Sequence, residues 1–466
     1  MTTAVLTFVL NGQPVSLENI SPTLTLLTYL RQSGLVGTKE GCADGDCGAC
    51  TVAVVGQRAD GGLHYQAMNS CLIPMGAIAG RQIVTVEGVA SGELHPVQTQ
   101  MVELGGSQCG YCTPGFIMSL FAAYYDSSLD DEAVEGNLCR CTGYLPIRRV
   151  LQGLSPPPPQ DPFQARLAAE ADPLPGMAYR GNGQQFFRPT QLNGVLELMQ
   201  THSDATLVAG ATDLGLELTH HRQQYSVLIS LEAVHELQVL AQTDVAVIIG
   251  AAVPLGRLKA ILQGVFPALD EMLHWFAAAQ VRNRATLGGN IGTASPIGDL
   301  PPVLLALDAT LTLASAAGTR TVAIASFFTG YRQTRRRADE VIVAVTIPKT
   351  MAPGAARRLS QSYKVGKRGT DDISIVAAAF TIDLDVQGTI VLARLAYGGV
   401  AATPIRAIAA ETALLGQPWT QATVQAIKPQ LLETFTPLSD LRASADYRNR
   451  LVANLFEKFF VEFSGD

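Results

Sequence analysis

The stretch "CADGDCGAC", residues 42–50, sets three cysteines in nine residues, with glycine and aspartate between them. Cys42, Cys47 and Cys50 follow C-x4-C-x2-C, the plant-type spacing of a [2Fe–2S] cluster, and Cys71 is a distant fourth thiol. Four thiolates satisfy two irons, while Gly41, Gly45 and Gly48 let the backbone wrap closely and aim N–H groups at sulfur. On spacing alone the alternatives are zinc, which favours paired CxxC knuckles, and disulfides.

All eight cysteines fall between Cys42 and Cys141, leaving residues 142–466 without one. Core cysteines would be scattered, so the clustering marks a special chemistry in the first third of the chain. Cys109, Cys112, Cys139 and Cys141 form a second set of four, read as a second [2Fe–2S] site. Both halves of that set precede a proline-started helix ("CGYCTPGFI" and "CRCTGYLPI"), where a helix N-terminus favours an anionic group.

Working outward, "AVLTFVL" and "QPVSLE" read as strands joined at Asn11-Gly12, followed by a helix "LTLLTYLRQSG" ending at Gly34. A second hairpin turns at Gly61-Gly62. Strands wrapped on one helix with a cysteine loop indicate a small half-barrel domain ending near residue 85. From Pro96 the spacing is helical, with Thr113 as N-cap and Pro114 as first helical residue of the next helix, giving a four-helix [2Fe–2S]-binding domain over 88–154. "SPPPPQDP" begins a stiff linker, placed at 155–182. Alternating strands and helices over 183–350, then strands followed by helices over 351–466, complete a multidomain α+β chain.

The balance of 33 basic against 40 acidic residues, net −7, excludes a phosphate-tracking nucleic-acid binder. Arg335-Arg336-Arg337 is a lone basic run, read as a solvated loop. No apolar run spans a bilayer, and "MTTAVLTFVLNGQPV" lacks a signal-peptide pattern, so no membrane association and a cytoplasmic location are expected. Neither G-x-G-x-x-G nor a P-loop is present. Two other glycine-rich turns stand out: "LVAGATDLG" at 207–215, with Thr212 able to cap a helix, and "ATLGGNIGTASPIGDLPP" at 285–302. Their glycines and hydroxyls suit a pyrophosphate, although each alone reads equally well as an ordinary turn.

Taken together, "GTKEGCADGDCGACTV", "SQCGYCTPGFIMS", "GNLCRCTGY" and "FTPLSDLRASADYR" resemble the xanthine dehydrogenase family of molybdenum hydroxylases. The likeness is to the bacterial small subunit, which carries two [2Fe–2S] clusters and FAD while the molybdenum centre sits on another chain. It implies a plant-ferredoxin-like β-grasp domain over residues 1–87, an FAD-binding domain of the two-part vanillyl-alcohol-oxidase type and a C-terminal flavoprotein domain. By the same resemblance Leu207, Val208, Ala209, Gly210, Ala211, Thr212, Asp213 and Leu214 wrap the FAD pyrophosphate. Phe276 stacks near the isoalloxazine, Thr286, Gly289, Asn290 and Thr293 meet the pyrophosphate, and Asp299 meets the ribose. Ile342 covers the ring system, Lys364 lies near the flavin, and Asp371-Asp372 fall where the electron acceptor is chosen. Gln108 matches a residue that contacts the pterin of the molybdenum cofactor.

The resemblance thus implies an electron-transfer subunit of a xanthine dehydrogenase. Electrons from a molybdenum centre in a larger molybdopterin-binding partner would pass through both clusters to FAD and then NAD+, in a heterotetramer of two small and two large chains. The chain itself offers no acid–base catalyst for hydroxylation. The near rival is the equivalent subunit of an aldehyde-, nicotinate- or CO-oxidising enzyme. The distant one is a redox-sensing or zinc-stabilised protein without turnover.

Overall fold

The computed structural model describes residues 3–464 apart from 59, 91, 127 and 170–172. The chain divides into two compact units, each described by itself. The first comprises residues up to His235 with Pro254–Ala260 and Ala277–Ala285, and the second comprises Glu236–Val253, Ile261–Phe276 and the chain from Thr286 onward.

The first unit opens with a five-stranded sheet in the order Gln13–Glu18, Val5–Leu10, Gln82–Val84, Thr51–Gln57, Leu63–Asn69. Only the pairing of Val5–Leu10 with Gln82–Val84 is parallel. Asn11 and Gly12, at φ 53° and 80°, supply the two left-handed residues that a tight hairpin turn needs. Helix Leu26–Gln32 is capped by the Thr25 hydroxyl and buries Leu26, Leu27 and Leu30. Leu26 and Leu30 join Leu6, Phe8, Val52 and Val54 in the sheet's core.

The helical part begins at Pro96–Glu103, where His95 and Gln98 form a reciprocal capping box. Helix Thr113–Asp126 is buried nearly all round: Phe116, Ile117, Leu120, Phe121 and Tyr124 are among its covered side chains. It packs on strands Thr51–Gln57 and Leu63–Asn69, so the two thiol-bearing parts share one core. Thr113 is the first helical residue here, and its hydroxyl bonds to Ser107 at 2.7 Å instead of capping the helix from outside. Helix Leu145–Gly153 closes the part, with Pro146 in its first turn.

The segment expected as a linker carries a helix and a strand. Asp161 caps a six-residue helix, Pro162–Leu167, whose Phe163 is 4% exposed. Strand Met177–Gly181 then pairs with Gln184–Arg188 across Asn182-Gly183, at φ 50° and 76°. The composition conceals this because one capping aspartate and one buried phenylalanine order the chain beside the prolines. These strands lead a four-stranded sheet that continues with Val227–Ser230 and Thr206–Val208.

The second unit holds an antiparallel five-stranded sheet, in the order Leu240–Gln242, Ala246–Gly250, Val341–Pro348, Thr310–Ser315, Gly318–Ala323. It also holds a four-stranded antiparallel sheet led by Arg357–Val365 and Val376–Leu384. Val376–Leu384 is buried at every position, covered by helices Leu300–Ala306 and Ala445–Phe463. Among the described residues no helix is long and apolar enough to cross a membrane.

Candidate functional site

The first thiol loop closes on itself through sulfur. The Cys42 N–H donates to Cys47 Sγ and the Cys47 N–H to Cys42 Sγ, both at 3.3 Å, and the Asp44 N–H reaches Cys42 Sγ at 3.5 Å. Cys50 and Cys71, 2% and 1% exposed, bring their sulfurs to 3.4 Å. Gly45 and Gly48 hold φ of 88° and 65°, and Ala43 adopts the same left-handed region at 60°. A Cβ on Gly41 would meet Cys47 Sγ at 2.6 Å, so only glycine leaves room for the sulfur there. Asn69 braces the loop by donating to Gly45 O at 2.7 Å.

In the first set one thiol of each pair is driven toward thiolate by its neighbour. The bond from Cys42 lowers Cys47 to about 6, and the bond from Cys71 lowers Cys50. In the second set burial raises Cys112, while Cys139, raised by its own burial, is held below the usual thiol range by the Thr142 hydroxyl and N–H. Cys109 is lowered chiefly by the Tyr111 N–H and then by Cys141. Cys139 Sγ also meets Thr142 Oγ1 at 3.1 Å. No three His, Cys, Asp or Glu among the described residues converge on one ion. The paired thiols of the first set suit a binuclear cluster, where each iron takes two protein ligands, better than a single tetrahedral zinc.

The two loops are hydrogen-bonded to each other. The Leu138 N–H, one residue before Cys139, donates to the carbonyl of Cys47 at 3.0 Å. Beside it the Asn137 amide donates to Gly48 O at 3.0 Å and accepts from Ser119 Oγ at 2.6 Å and Gln280 Nε2 at 3.1 Å. Gln280 also donates to Ser119 Oγ at 3.0 Å. The fit is tight: a Cβ on Gly48 would meet Gly136 O at 2.2 Å, and one on Gly115 would meet Gly48 O at 2.2 Å. Sequence reasoning missed Asn137, Ser119 and Gln280 as a group, because nothing local signals that position 280 reaches a loop more than a hundred residues earlier. Gln108 lies on the exposed approach to Cys109.

The structure divides the expected flavin residues between the units. In the first, Leu207 and Val208 end a short strand, and Ala211 turns the chain at φ 65°. Asp213, not Thr212, occupies the position before helix Leu214–Thr219, and its side chain makes no capping bond; the turn at Ala211 shifts the helix start one residue beyond the expected cap. Ala209 and Gly210 lie between strand and turn. Arg284 Nε donates to Gly210 O at 3.0 Å, and a Cβ on Gly210 would meet Arg284 O at 1.9 Å. Arg284 is anchored by Glu232, which also pairs with Arg81 at 2.6 Å. Burial alone would raise Glu232, but the surrounding guanidiniums of Arg81, Arg284 and Arg188 hold it below the usual carboxylate range.

In the second unit Thr286 accepts from the Gly289 N–H at 3.0 Å and starts helix Leu287–Thr293, so that N–H is already engaged within the turn. Among the described residues the Asn290 side-chain oxygen is buried without a hydrogen-bond partner. Asp299 accepts from Lys364 Nζ at 2.9 Å and from Ser374 Oγ at 2.5 Å, and Lys364 also donates to Trp275 O at 3.0 Å. Ile342 is 7% exposed, and the Gly292 Cβ position lies 3.8 Å from its Cδ1. Phe276 terminates helix Pro267–Trp275. Asp371 and Asp372 are not the solvated pair that a loop suggests: Asp371 is 9% exposed, and Asp372 staples its loop by accepting from the N–H groups of Lys367, Arg368 and Ile373.

The chain matches four family models: a 2Fe-2S iron–sulfur cluster binding domain over 8–76, a [2Fe-2S] binding domain over 85–152, an FAD binding domain in molybdopterin dehydrogenase over 181–350, and a CO dehydrogenase flavoprotein C-terminal domain over 361–463. It is 32% identical to the xanthine dehydrogenase of Emericella nidulans, over 97% of this chain and 38% of that protein. It is 35% identical to that of Drosophila subobscura, over 99% of this chain and 39% of the relative. The chain therefore spans under two-fifths of the length of these relatives. A solved carbon monoxide dehydrogenase chain from Hydrogenophaga pseudoflava matches with a TM-score of 0.55 and 32% identity, over 59% of this chain and 94% of that one.

Proposed function

We propose, from the premise that this chain belongs to the molybdenum hydroxylase family and carries two [2Fe–2S]-binding domains and an FAD-binding domain, that it is the electron-transfer subunit of a xanthine dehydrogenase. The observation that carries the reading is the sulfur-directed N–H bonds of the 42–50 loop and the 3.4 Å approach of Cys50 to Cys71, with the second thiol set tied to that loop by the Leu138 N–H to Cys47 carbonyl bond. Cys42, Cys47, Cys50 and Cys71 would hold one cluster, and Cys109, Cys112, Cys139 and Cys141 the other. The 207–214 turn with Phe276, Thr286, Gly289, Asn290, Thr293, Asp299, Ile342 and Lys364 would hold FAD. The domain division at 87, 154, 182 and 350 goes with this assignment.

The residues present fit those groups. Loop N–H groups aimed at sulfur stabilise thiolate charge, and burial of Cys50 and Cys71 excludes water from that pair. Gly210 brings backbone close, while Arg284 fixes the turn. Lys364 offers a cation held in place by Asp299, suited to compensating charge near a flavin ring. FAD, when bound, supplies the exchange between single electrons and an electron pair.

A larger molybdopterin-binding partner would contain the substrate site, two small and two large chains would assemble, and NAD+ in the cytoplasm would be the final acceptor. Identity of 32% and 35% to xanthine dehydrogenases over 97% and 99% of this chain supports the purine reading. The likeness to a carbon monoxide dehydrogenase chain favours the second reading, a related hydroxylase with another substrate. The test is to purify the chain with its partner, measure iron, zinc, flavin and molybdenum, and assay hypoxanthine with NAD+ or oxygen. Hypoxanthine-dependent NAD+ reduction supports the first reading. Turnover only with an aldehyde, nicotinate or carbon monoxide selects the second, and zinc without iron or flavin excludes both.

A further inference from the structure

Arg81, Arg188 and Arg284 come from three separate stretches of the first unit and converge on one carboxylate, Glu232. Arg81 and Arg284 share its Oε2, at 2.6 and 3.3 Å, and Arg188 Nη1 faces its Oε1 at 3.6 Å. Arg188 and Arg284 are buried, and among the described residues Arg188 Nη1 and Arg284 Nη2 have no hydrogen-bond partner. Burial lowers both guanidiniums, Glu232 draws them back up, and Arg81 adds to the crowding. Arginine keeps its proton in proteins, so three positive charges meet one negative, an excess of two. A buried excess of like charge is costly unless an anion answers it.

The adjoining turn has the opposite shortage. Neither "LVAGATDLG" at 207–215 nor "ATLGGNIGTASPIGDLPP" at 285–302 contains a lysine or arginine, and each carries an aspartate. Helix Leu214–Thr219, with six residues, is too short to supply a strong dipole. Lys364, assigned beside the flavin, is already matched by Asp299 at 2.9 Å. A pyrophosphate bound by these turns therefore finds no cation within them. Arg284 links the two: its Nε donates to Gly210 O at 3.0 Å, which polarises the Gly210–Ala211 peptide and strengthens the Ala211 N–H as a donor.

We propose that this buried excess is the counter-charge for the pyrophosphate of FAD, and that Arg284 is the positioning residue that transmits it through the Gly210–Ala211 peptide. The proposal rests on the reading of 207–214 as the turn that holds the pyrophosphate. Because the oxidised flavin ring is neutral, the affinity for oxidised FAD follows the number of charges in the cluster.

The test uses the full chain with its clusters, freed of flavin and titrated with oxidised FAD by fluorescence quenching. Among the described residues Arg81 bonds to Ala77 O and Glu232, not to the turn. Arg81→Gln lowers the excess to one and is expected to weaken FAD binding about tenfold, while Arg81→Lys keeps the charge and binds as the parent. Glu232→Gln raises the excess to three and is expected to bind FAD more tightly by a similar factor, whereas a bracing role alone predicts weaker binding. Arg81→Gln/Glu232→Gln restores the excess of two without the ion pair; it is expected to return to the parent affinity, and it decides the matter where Glu232→Gln does not fold. Weaker binding by a folded Glu232→Gln, a double variant no better than Arg81→Gln, or equal affinity throughout the series overturns the counter-charge and leaves the FAD reading standing. A parent that binds no FAD, or a Gly210→Ala variant that binds it undiminished, overturns the reading of the turn and this proposal with it.

Discussion

Replacing Asn137 by alanine tests whether the two thiol loops form one junction. The amide makes bonds with Ser119, Gln280 and Gly48 in a site where Asn137 is 1% exposed. Not all of them are lost without replacement. Gly48 O keeps the Thr51 N–H at 3.0 Å and the Thr51 hydroxyl at 2.6 Å, and Ser119 can turn to the Gln280 Oε1, which now has no partner. One or two buried polar groups are then left unpaired, at about 1–3 kcal/mol each, so the junction weakens by roughly 2–4 kcal/mol. A chain of several domains does not unfold in one step, so a global midpoint is the wrong readout. Hydrogen exchange at the Leu138 amide, which is bound to Cys47 O, reads the junction itself and is expected to accelerate roughly 30- to 1,000-fold. Ser119→Ala, which removes the hydroxyl but leaves the Asn137 amide bonded to Gly48 and Gln280, should cost about 1 kcal/mol. Unchanged exchange at Leu138, or equal acceleration in helix Ala445–Phe463 of the other unit, would refute the reasoning.

Further consequences can be checked separately. Cys141→Ser is expected to abolish one of two [2Fe–2S] resonances while the other and the bound FAD persist; both resonances surviving would mean the ligand set is wrong. Gly210→Ala sets a methyl group against the Arg284 carbonyl, so the protein should retain iron but lose most of its flavin by absorbance, and full flavin content would contradict the assignment of that turn. Buried His95 donates to or accepts from Tyr125 at 2.8 Å, and burial lowers it to about 4 against the pull of Asp161. Its unfolded counterpart binds a proton near 6.5, so the stabilisation is full above that pH and is lost as pH falls toward 4, at most roughly 3 kcal/mol. Acid-induced exposure of this region should therefore flatten over that window in His95→Gln, and an unaltered acid profile would remove His95 as its cause.

The division between what the chain discloses locally and what it hides has a physical basis. Cysteine spacing, the Asn11-Gly12 turn and the glycines of the first loop are short-range signals, because the geometry they impose is settled within a few residues. Cys71 as the fourth thiol is accessible for a related reason: a single hairpin joins the strand that follows Cys50 to the one that precedes Cys71. The helix at Pro162–Leu167 was hidden behind a run of prolines, since its stability comes from Phe163 packing against Phe121 at 5.0 Å between ring centres and not from local propensity. The same logic applies to Gln280 and Arg284, which reach Asn137 and Gly210 from a short segment that sequence reading connects only with flavin. That segment, Ala277–Ala285, belongs to the first compact unit, although Phe276 on one side and Thr286 on the other belong to the second. A segment flanked by two expected flavin residues thus also braces the junction between thiol loops. Its long-range bonds make substitutions at 280 and 284 informative about different centres: the first should disturb the Leu138–Cys47 bond, and the second the 207–214 turn.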